Sequence, residues 1–477
     1  MTYRLSALFI LVFTLSSPCL GQPSTFTKIF GDSQVPEQAT AVVQLPSGSI
    51  FLAGAAGSDS IGGFDIVVSK LSPEGNLIWQ KSYGTPEPDY ANGLLLYDED
   101  HLVITGSRTE TSAGAFRKVA FLMAIDTTGK EIWVHDYPDS TGNTYFKTVE
   151  KASDGGLIAC GFISGANNIS NDSYILKTDA TGHPQWVGEY QDSLGDVAHA
   201  ARNLPDGGYV VAGDQEQPSG KYNMYITRLD SLGKRVWKKT IANGNNGGAQ
   251  NVIVTASGNY LITGESTPDT TILYFDIYLV MVDPSGQVLW DSYIGDPFAE
   301  AGFKIFESES QTFTVCGYGY NFANLSTDMI VVRTDSMGKE TDRSYYGTAS
   351  IDQGFDIVPS TFGGFLAAGF SSAGGDDQYM LVYDQFPPVN TNGLNEEYFH
   401  QLQIFPNPAV RGGYIYIESD FPIDGLTITD VQGRAVWTKE FEGIEQQIEV
   451  PEYISPGVYL IRATIQNSIH FGKLWIR

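Results

Sequence analysis

The chain has little cysteine, little positive charge, no sustained helical period and almost no long apolar run. Three cysteines in 477 residues exclude a disulfide-framework fold. Lys and Arg number 28 against 55 Asp and Glu, for a formal net charge of -27. Such a field repels a phosphate backbone and excludes nucleic acid as a partner, and it also keeps an exported protein in solution. The six histidines, at 101, 135, 183, 199, 400 and 470, show neither H-x-x-x-H nor H-E-x-x-H spacing, so no zinc site is assigned. There is no G-x-S-x-G elbow and no phosphate-binding loop. The glycine-rich runs at 244–248 and 372–377 precede no helix that could cradle a phosphate. Motifs therefore assign no catalytic, cofactor-binding or metal-binding residue.

One apolar stretch stands out, residues 5–15 behind Arg4, followed by small and turn-forming residues. It is too short to span a bilayer and reads as a secretory signal peptide over 1–21, cleaved after Gly21. A lipoprotein reading through Cys19 lacks the usual leucine and small-residue pattern before the cysteine. No later segment is long and apolar enough to cross a membrane, so no transmembrane segment is expected in the mature chain.

A period runs through most of the rest. Tryptophan stands at 79, 133, 186, 237 and 290, with Asp342 in the same frame at one end and Phe26 at the other. The steps between these anchors run from 51 to 54 residues. Four residues before each anchor from 79 to 342 stands a glycine: Gly75, Gly129, Gly182, Gly233, Gly286 and Gly338. An Asp precedes that glycine by three residues, with Ser72 in its place in the first repeat. Asp-x-x-Gly between two apolar runs is hairpin chemistry, because a type I turn is followed by a residue with positive φ. An earlier strand in each repeat ends in a small residue and then glycine: Gly54, Gly106, Gly161, Gly213, Gly264, Gly317 and Gly369. Cys160 and Cys316 occupy this small position. Repeats three apart in a ring cannot bring their Cα atoms within the ~7 Å that a disulfide needs, so they read as small buried thiols.

Each unit thus predicts four strands, and four-stranded units of this length repeated several times predict propeller blades. The first three strands occur seven times, the anchor-bearing fourth only six times. The N-terminal segment around Phe26 supplies the missing outer strand. The expected architecture is an all-β, seven-bladed β-propeller over 22–386 whose last blade is closed by the N-terminal strand. The tryptophans are expected to pack between blades rather than bind ligand. Asp65, Asp172, Asp276, Asp328 and Asp377, which open third strands, are expected to serve strand-entry hydrogen bonding, since no D-x-D-x-D-G calcium loop accompanies them.

After a Pro/Asn/Gly-rich linker (387–401) the blade grammar stops. About seven short strands in 402–477 fit a small β-sandwich. The motifs Phe405-Pro406-Asn407-Pro408, Asp430-Val431-Gln432-Gly433 and Pro456-Gly457-Val458-Tyr459, with Lys473 near the end, resemble the type A C-terminal sorting domain of the type IX secretion system. The resemblance implies a Bacteroidota source, recognition by the type IX secretion machinery, and passage through the periplasm to the medium or the outer-membrane surface. It singles out Pro406, Asn407, Pro408, Gly433, Gly457, Tyr459 and Lys473 as motif residues. It also implies removal of the domain and release of the propeller or its attachment to surface lipopolysaccharide. Six Asp-Ser/Thr-apolar triplets, among them Asp126-Thr127-Thr128, Asp230-Ser231-Leu232 and Asp335-Ser336-Met337, match the O-glycosylation pattern of such exported proteins and equally match turn chemistry.

For function, a rigid ring with two loop faces and no catalytic motif favours a monomeric, non-catalytic binding or adhesion module for a surface glycan or protein. The alternatives are a glycan-active hydrolase or lyase with its site at the channel mouth, and a structural repeat protein without a ligand. An enzyme site usually breaks the repeat with a loop insertion, and the extra length at 107–117 and 265–274 is modest. The residues expected to face the channel are Val42, Leu94, Lys147, Ala201, Val252, Lys304 and Asp356; convergent carboxylates with displaced pKa values at the channel would favour the enzyme.

Overall fold

Alternating strands bounded by Asp-x-x-Gly turns form the hairpins that the sequence specifies. In the second blade's turn of this kind, Asp126 Oδ1 accepts the N–H groups of Thr128 and Lys130, at 2.8 and 3.0 Å, and the Thr128 hydroxyl at 2.6 Å. Gly129 follows at φ +76°. The structure is a computed structural model that describes residues 23–385 and 403–477, apart from 33, 58–62, 113–114, 141, 166–170, 191–193, 242–245, 269–273, 297, 309–310, 406–407, 419–422, 431–433, 441–446 and 466–467. The expected signal peptide and linker lie outside the described residues.

Seven four-stranded antiparallel sheets follow one another between Phe26 and Asp384. Their inner strands are Glu37–Gln44, Tyr90–Leu96, Gly142–Lys151, Asp196–Asn203, Gly247–Val254, Ala301–Glu307 and Asp352–Pro359. The N-terminal strand Phe26–Phe30 pairs with Gln378–Asp384 and is the outer strand of the seventh sheet. Each inner strand lies against the next, and the first lies against the seventh.

The core divides accordingly. Seven separate hydrophobic clusters fill the seven contacts between neighbouring blades, and one of them joins the first and seventh blades through Val42, Leu52, Leu366 and Leu381. Burial is thus spread around the ring rather than gathered in one centre. Cys160 and Cys316 are buried free thiols in two different clusters.

The tryptophans are packing residues. A methyl built on Gly129 would stand 2.8 Å from Trp79, and the same holds for Gly182 on Trp133 and Gly233 on Trp186. Each of these indoles therefore lies against the turn glycine of the next blade. Four residues on, Tyr83 and Tyr137 donate their hydroxyls to the carbonyls of the same glycines, Gly129 and Gly182, at 2.7 and 2.6 Å. Asp342 breaks the tryptophan series for a topological reason. The seventh blade takes its outer strand from the N-terminus, so it has no hairpin turn for the sixth blade's anchor to cover. There Tyr346 donates to Asp384 Oδ2 at 2.6 Å instead of to a glycine.

All seven inner strands carry a β-bulge at one position. The register shifts at Thr40, Asn92, Lys147, His199, Gln250, Phe303 and Phe355. This explains the glycine near the end of every second strand. A Cβ on Gly54, Gly161 or Gly317 would sit 1.8, 1.9 or 1.7 Å from a carbonyl oxygen of the bulged strand, so only glycine fits. The bulge also corrects the expected channel set. Only Lys147 of that set is a bulged residue. Lys304 and Asp356 come one residue after the bulge, and Val42, Leu94, Ala201 and Val252 two after, so the seven do not form one ring.

After the linker, Gln403–Phe405, Tyr414–Glu418 and Gln447–Glu449 form a three-stranded sheet. Ala435–Glu440, Ile423–Thr429, Gly457–Ile465 and Ser468–Ile476 form a four-stranded one. Ile415, Ile417 and Ile448 of the first pack with Leu426, Ile428, Ile461 and Leu474 of the second in a single core. This is the expected sandwich.

Candidate functional site: a belt on the inner wall

The seven bulged residues are all partly exposed, whereas the residue before each is buried. They form a belt on the inner strands, and the residue after each second-strand glycine stands beside it. That second set is Ala55, Ser107, Phe162, Asp214, Glu265, Tyr318 and Phe370. The belt is not uniform.

In the first two blades the belt side chains tie blades together. Thr40 donates to the Ala91 carbonyl at 2.9 Å, and the Asn92 amide to the Phe146 carbonyl at 2.8 Å. In the third to fifth blades the belt gathers ionisable side chains. His199 Nε2 lies 3.0 Å from Asp214 Oδ2, while Asp214 Oδ1 accepts the Ala249 N–H at 2.7 Å. Lys147 reaches toward Asp214 with its Nζ 5.9 Å from the Phe162 ring centroid, and burial pulls its pKa down. The Gln250 amide lies 3.4 Å from Glu265 Oε1, and no donor among the described residues reaches Oε2. Burial, and then the charge of Asp214, push the Glu265 carboxyl up to about 7. In the sixth and seventh blades the belt is aromatic. Phe303 stands 5.7 Å from both Tyr318 and Phe355, and Phe355 stands 5.7 Å from Phe370. Tyr318 is close enough to Glu265 for that carboxylate to help raise the phenol pKa, after burial.

Further along the inner strands, three residues past each bulge, the set is mainly apolar: Val43, Leu95, Ile253, Phe306 and Val358. Glu150 and Arg202 complete it as an ion pair of 3.1 Å. One residue past the bulge, Lys304 pairs with Asp356 at 3.2 Å, and Asp356 also accepts the Val42 N–H at 2.9 Å across the junction of the seventh and first blades. These charges have fixed partners and serve the ring. Asp214 and Glu265 share a place in the repeat and a field, and Glu265 retains a bare oxygen.

A second recurrent feature also escaped the sequence reading. Three residues before the bulge, Glu37, Asp89, Asp196, Glu300 and Asp352 are all buried acids. Asp89 accepts the Thr109 N–H at 2.7 Å, Asp352 the Thr348 N–H at 2.7 Å and Glu37 the Asp32 N–H at 2.7 Å. Asp196 binds Lys238 at 2.7 Å and Glu300 binds Arg343 at 2.9 Å. These acids fasten five of the seven inner strands to neighbouring chain and are structural. At the third-strand entries Asp328 accepts the amides of Asn321 and Asn324, at 2.6 and 2.8 Å, and Asp377 accepts that of Gln38 at 2.9 Å.

In the C-terminal sandwich Pro408 is exposed at a bend, and Gly457 opens a strand opposite Ile476. Tyr459 is buried in the core with its hydroxyl donated to the Ser455 carbonyl at 2.7 Å. Lys473 lies opposite Leu460 in the strand pair. Pro406, Asn407 and Gly433 lie outside the described residues. Of the described Asp-Ser/Thr triplets, Ser231 and Ser336 are exposed on turns and Thr127 is half-buried on one; the triplets at Asp59, Asp192 and Asp269 lie outside the described residues.

Residues 403–477 match the family described as a secretion system C-terminal sorting domain. Residues 65–267 match the family described as outer membrane protein assembly factor BamB. No curated protein matches the chain. Among solved structures, Sqt1 from Chaetomium thermophilum is similar over 73% of this chain and 96% of its own, at 13% identity and a TM-score of 0.42. The β-propeller domain of the trilobed protease from Pyrococcus furiosus is similar over 74% and 100%, at 8% identity and a TM-score of 0.42. An ulvan lyase is similar over 73% and 95%, at 11% identity and a TM-score of 0.46. No helix among the described residues is long and apolar enough to cross a membrane. The chain is an all-β propeller protein that carries, over 403–477, a type IX secretion C-terminal sorting domain.

Proposed function

We propose that this exported propeller binds a neutral glycan at its inner belt. The observation that carries the reading is the belt's division. An ionisable arc of Lys147, His199, Asp214 and Glu265 runs directly into an aromatic arc of Phe303, Tyr318, Phe355 and Phe370. Sugars present C–H faces that stack on aromatic rings and hydroxyl edges that bond carboxylates, amides and imidazole, and such a site needs both kinds of surface side by side. The net charge of -27 disfavours a polyanionic ligand. The repeat symmetry is broken by side-chain replacement at the bulge, which needs no loop insertion.

The test is titration calorimetry of the full chain with neutral hexasaccharides (cello-, xylo-, laminari- and mannohexaose), after screening on a glycan array. Binding to one class, weakened at least ~10-fold by Phe303→Ala, is the expected result. Absence of binding to any neutral glycan overturns the reading.

A further inference from the structure

We infer that the belt also cleaves the glycan it holds, with Glu265 donating a proton to the departing glycosidic oxygen and Asp214 taking one from the attacking water. This rests on the glycan-binding reading and adds a reaction to it.

The two carboxylates occupy the same place in consecutive repeats. Asp214 follows Gly213 and Glu265 follows Gly264, each on the second strand beside the bulge, and Asp214 reaches the fifth blade, on which Glu265 stands. Their surroundings differ in the way an acid–base pair requires. Asp214 accepts a backbone N–H at 2.7 Å and lies 3.0 Å from the imidazole of His199. These partners hold the carboxylate in place with the imidazole beside Oδ2. Glu265 has only the Gln250 amide at 3.4 Å, and its Oε2 has no partner among the described residues. That oxygen is the place for a transferable proton. Burial and the neighbouring charge hold the carboxyl near pH 7, so a large share of it is protonated at neutral pH. Tyr318 and Phe303 continue the wall from Glu265, which sets a stacked sugar ring next to the acid.

Two other carboxylates of the inner wall differ in having a Lys or Arg partner: Glu150 pairs with Arg202 at 3.1 Å and Asp356 with Lys304 at 3.2 Å.

The reaction balances with water as the co-reactant. The bond between the anomeric carbon and the glycosidic oxygen breaks, and that oxygen takes the Glu265 proton. A water oxygen bonds to the anomeric carbon and loses its proton to the Asp214 carboxylate. Exchange with solvent then returns the proton to Glu265. Nothing is oxidised or reduced.

The experiment uses the full-chain protein and the four hexasaccharides named above, following reducing-end release together with calorimetric binding. The expected result is turnover of the oligosaccharide that binds, with kcat falling as pH rises through about 7. Glu265→Gln should lower kcat at least ~100-fold while affinity stays within ~3-fold. Retained affinity reports an intact site, and the wild-type pH profile tests the acid independently of any variant. Binding without turnover between pH 5 and 8 overturns the inference and leaves the binding reading standing. No binding overturns both. A fully active Glu265→Gln, or a rate that does not fall above pH 7, also overturns the inference.

Discussion

Phe26 lies against Gly75, as Trp79 lies against Gly129 one blade further on. A methyl built on Gly75 would meet Phe26 Cζ at 2.7 Å, and Lys28 on the same strand donates to Asn76 Oδ1 at 2.6 Å. The N-terminal strand thus does two things: it completes the seventh sheet and covers the first blade's turn. Phe26→Ala removes the ring from both contacts, including the one to Tyr383 at 5.7 Å. It should destabilise the propeller by about 2–3 kcal/mol, seen as a lower urea midpoint.

The indole-on-glycine contact makes Gly129 intolerant of a side chain. At φ +76°, with a Cβ 2.8 Å from Trp79, Gly129→Ala should cost about 1–3 kcal/mol from backbone strain, with the clash in addition. Trp79→Ala relieves the clash with the indole, the flexible Lys81 chain at 2.8 Å being free to move aside, but not the strain. The double variant should therefore be more stable than the sum of the two single losses implies, by about 1 kcal/mol in a double-mutant cycle. Strict additivity would show that the indole does not rest on the glycine.

Asp342 gives the complementary case. A consensus argument would restore the missing tryptophan, and Asp342→Trp would then be expected to stabilise. The seventh blade has no turn glycine for that indole to cover, because its outer strand comes from the other end of the chain. Asp342→Trp should leave the thermal midpoint unchanged or lower it. A rise of several degrees would contradict this account of the anchor.

The sequence made the ring legible and hid its inner wall, for one physical reason. Blade number, closure and turns rest on residues whose type is dictated by backbone geometry or by packing, so Gly129, Trp79 and their counterparts recur and can be counted. The belt rests on a backbone event, the bulge, whose side chain is unconstrained by the fold. The series Thr40, Asn92, Lys147, His199, Gln250, Phe303, Phe355 has no shared chemistry. An inserted residue also shifts the phase of a strand, so simple alternation placed Val42, Ala201 and Val252 on the channel when they are buried. One trace was visible. Glycine at a fixed place in seven strand interiors marks a close backbone approach, and following Gly213 and Gly264 to their next residues leads to Asp214 and Glu265.

In the sorting domain, Tyr459 is a core residue as well as a motif residue. Its ring belongs to the one core shared by both sheets, and its hydroxyl holds the Ser455 carbonyl at 2.7 Å. Tyr459→Ala should open a cavity costing about 3 kcal/mol, a large share of the stability of a domain this small. Export of the protein in its native host should fall, measured by immunoblotting of medium against cells. Tyr459→Phe keeps the packing and should be exported at near wild-type levels.

Glu265 should carry a stability cost that depends on pH. Its folded-state pKa of about 7 lies above the ordinary 4.5, so between those values the folded protein holds a proton that the unfolded chain has released. Folding is therefore favoured at the acid end of this window, and stability falls as pH rises from 4.5 through about 7. At about 1.4 kcal/mol per pH unit the full loss is at most about 3–4 kcal/mol. Glu265→Gln has no proton to lose. The variant should match the wild type at pH 4 and exceed it at pH 8, as read from the urea midpoint of the propeller. If the wild type were equally stable relative to the variant at both pH values, the carboxyl would titrate normally and the acid role assigned to it would lose its basis. If the gap opens as expected, the protein keeps at this position a carboxyl that weakens its own fold, where an amide of the same shape would strengthen it. A residue that only built the ring would not be of that kind.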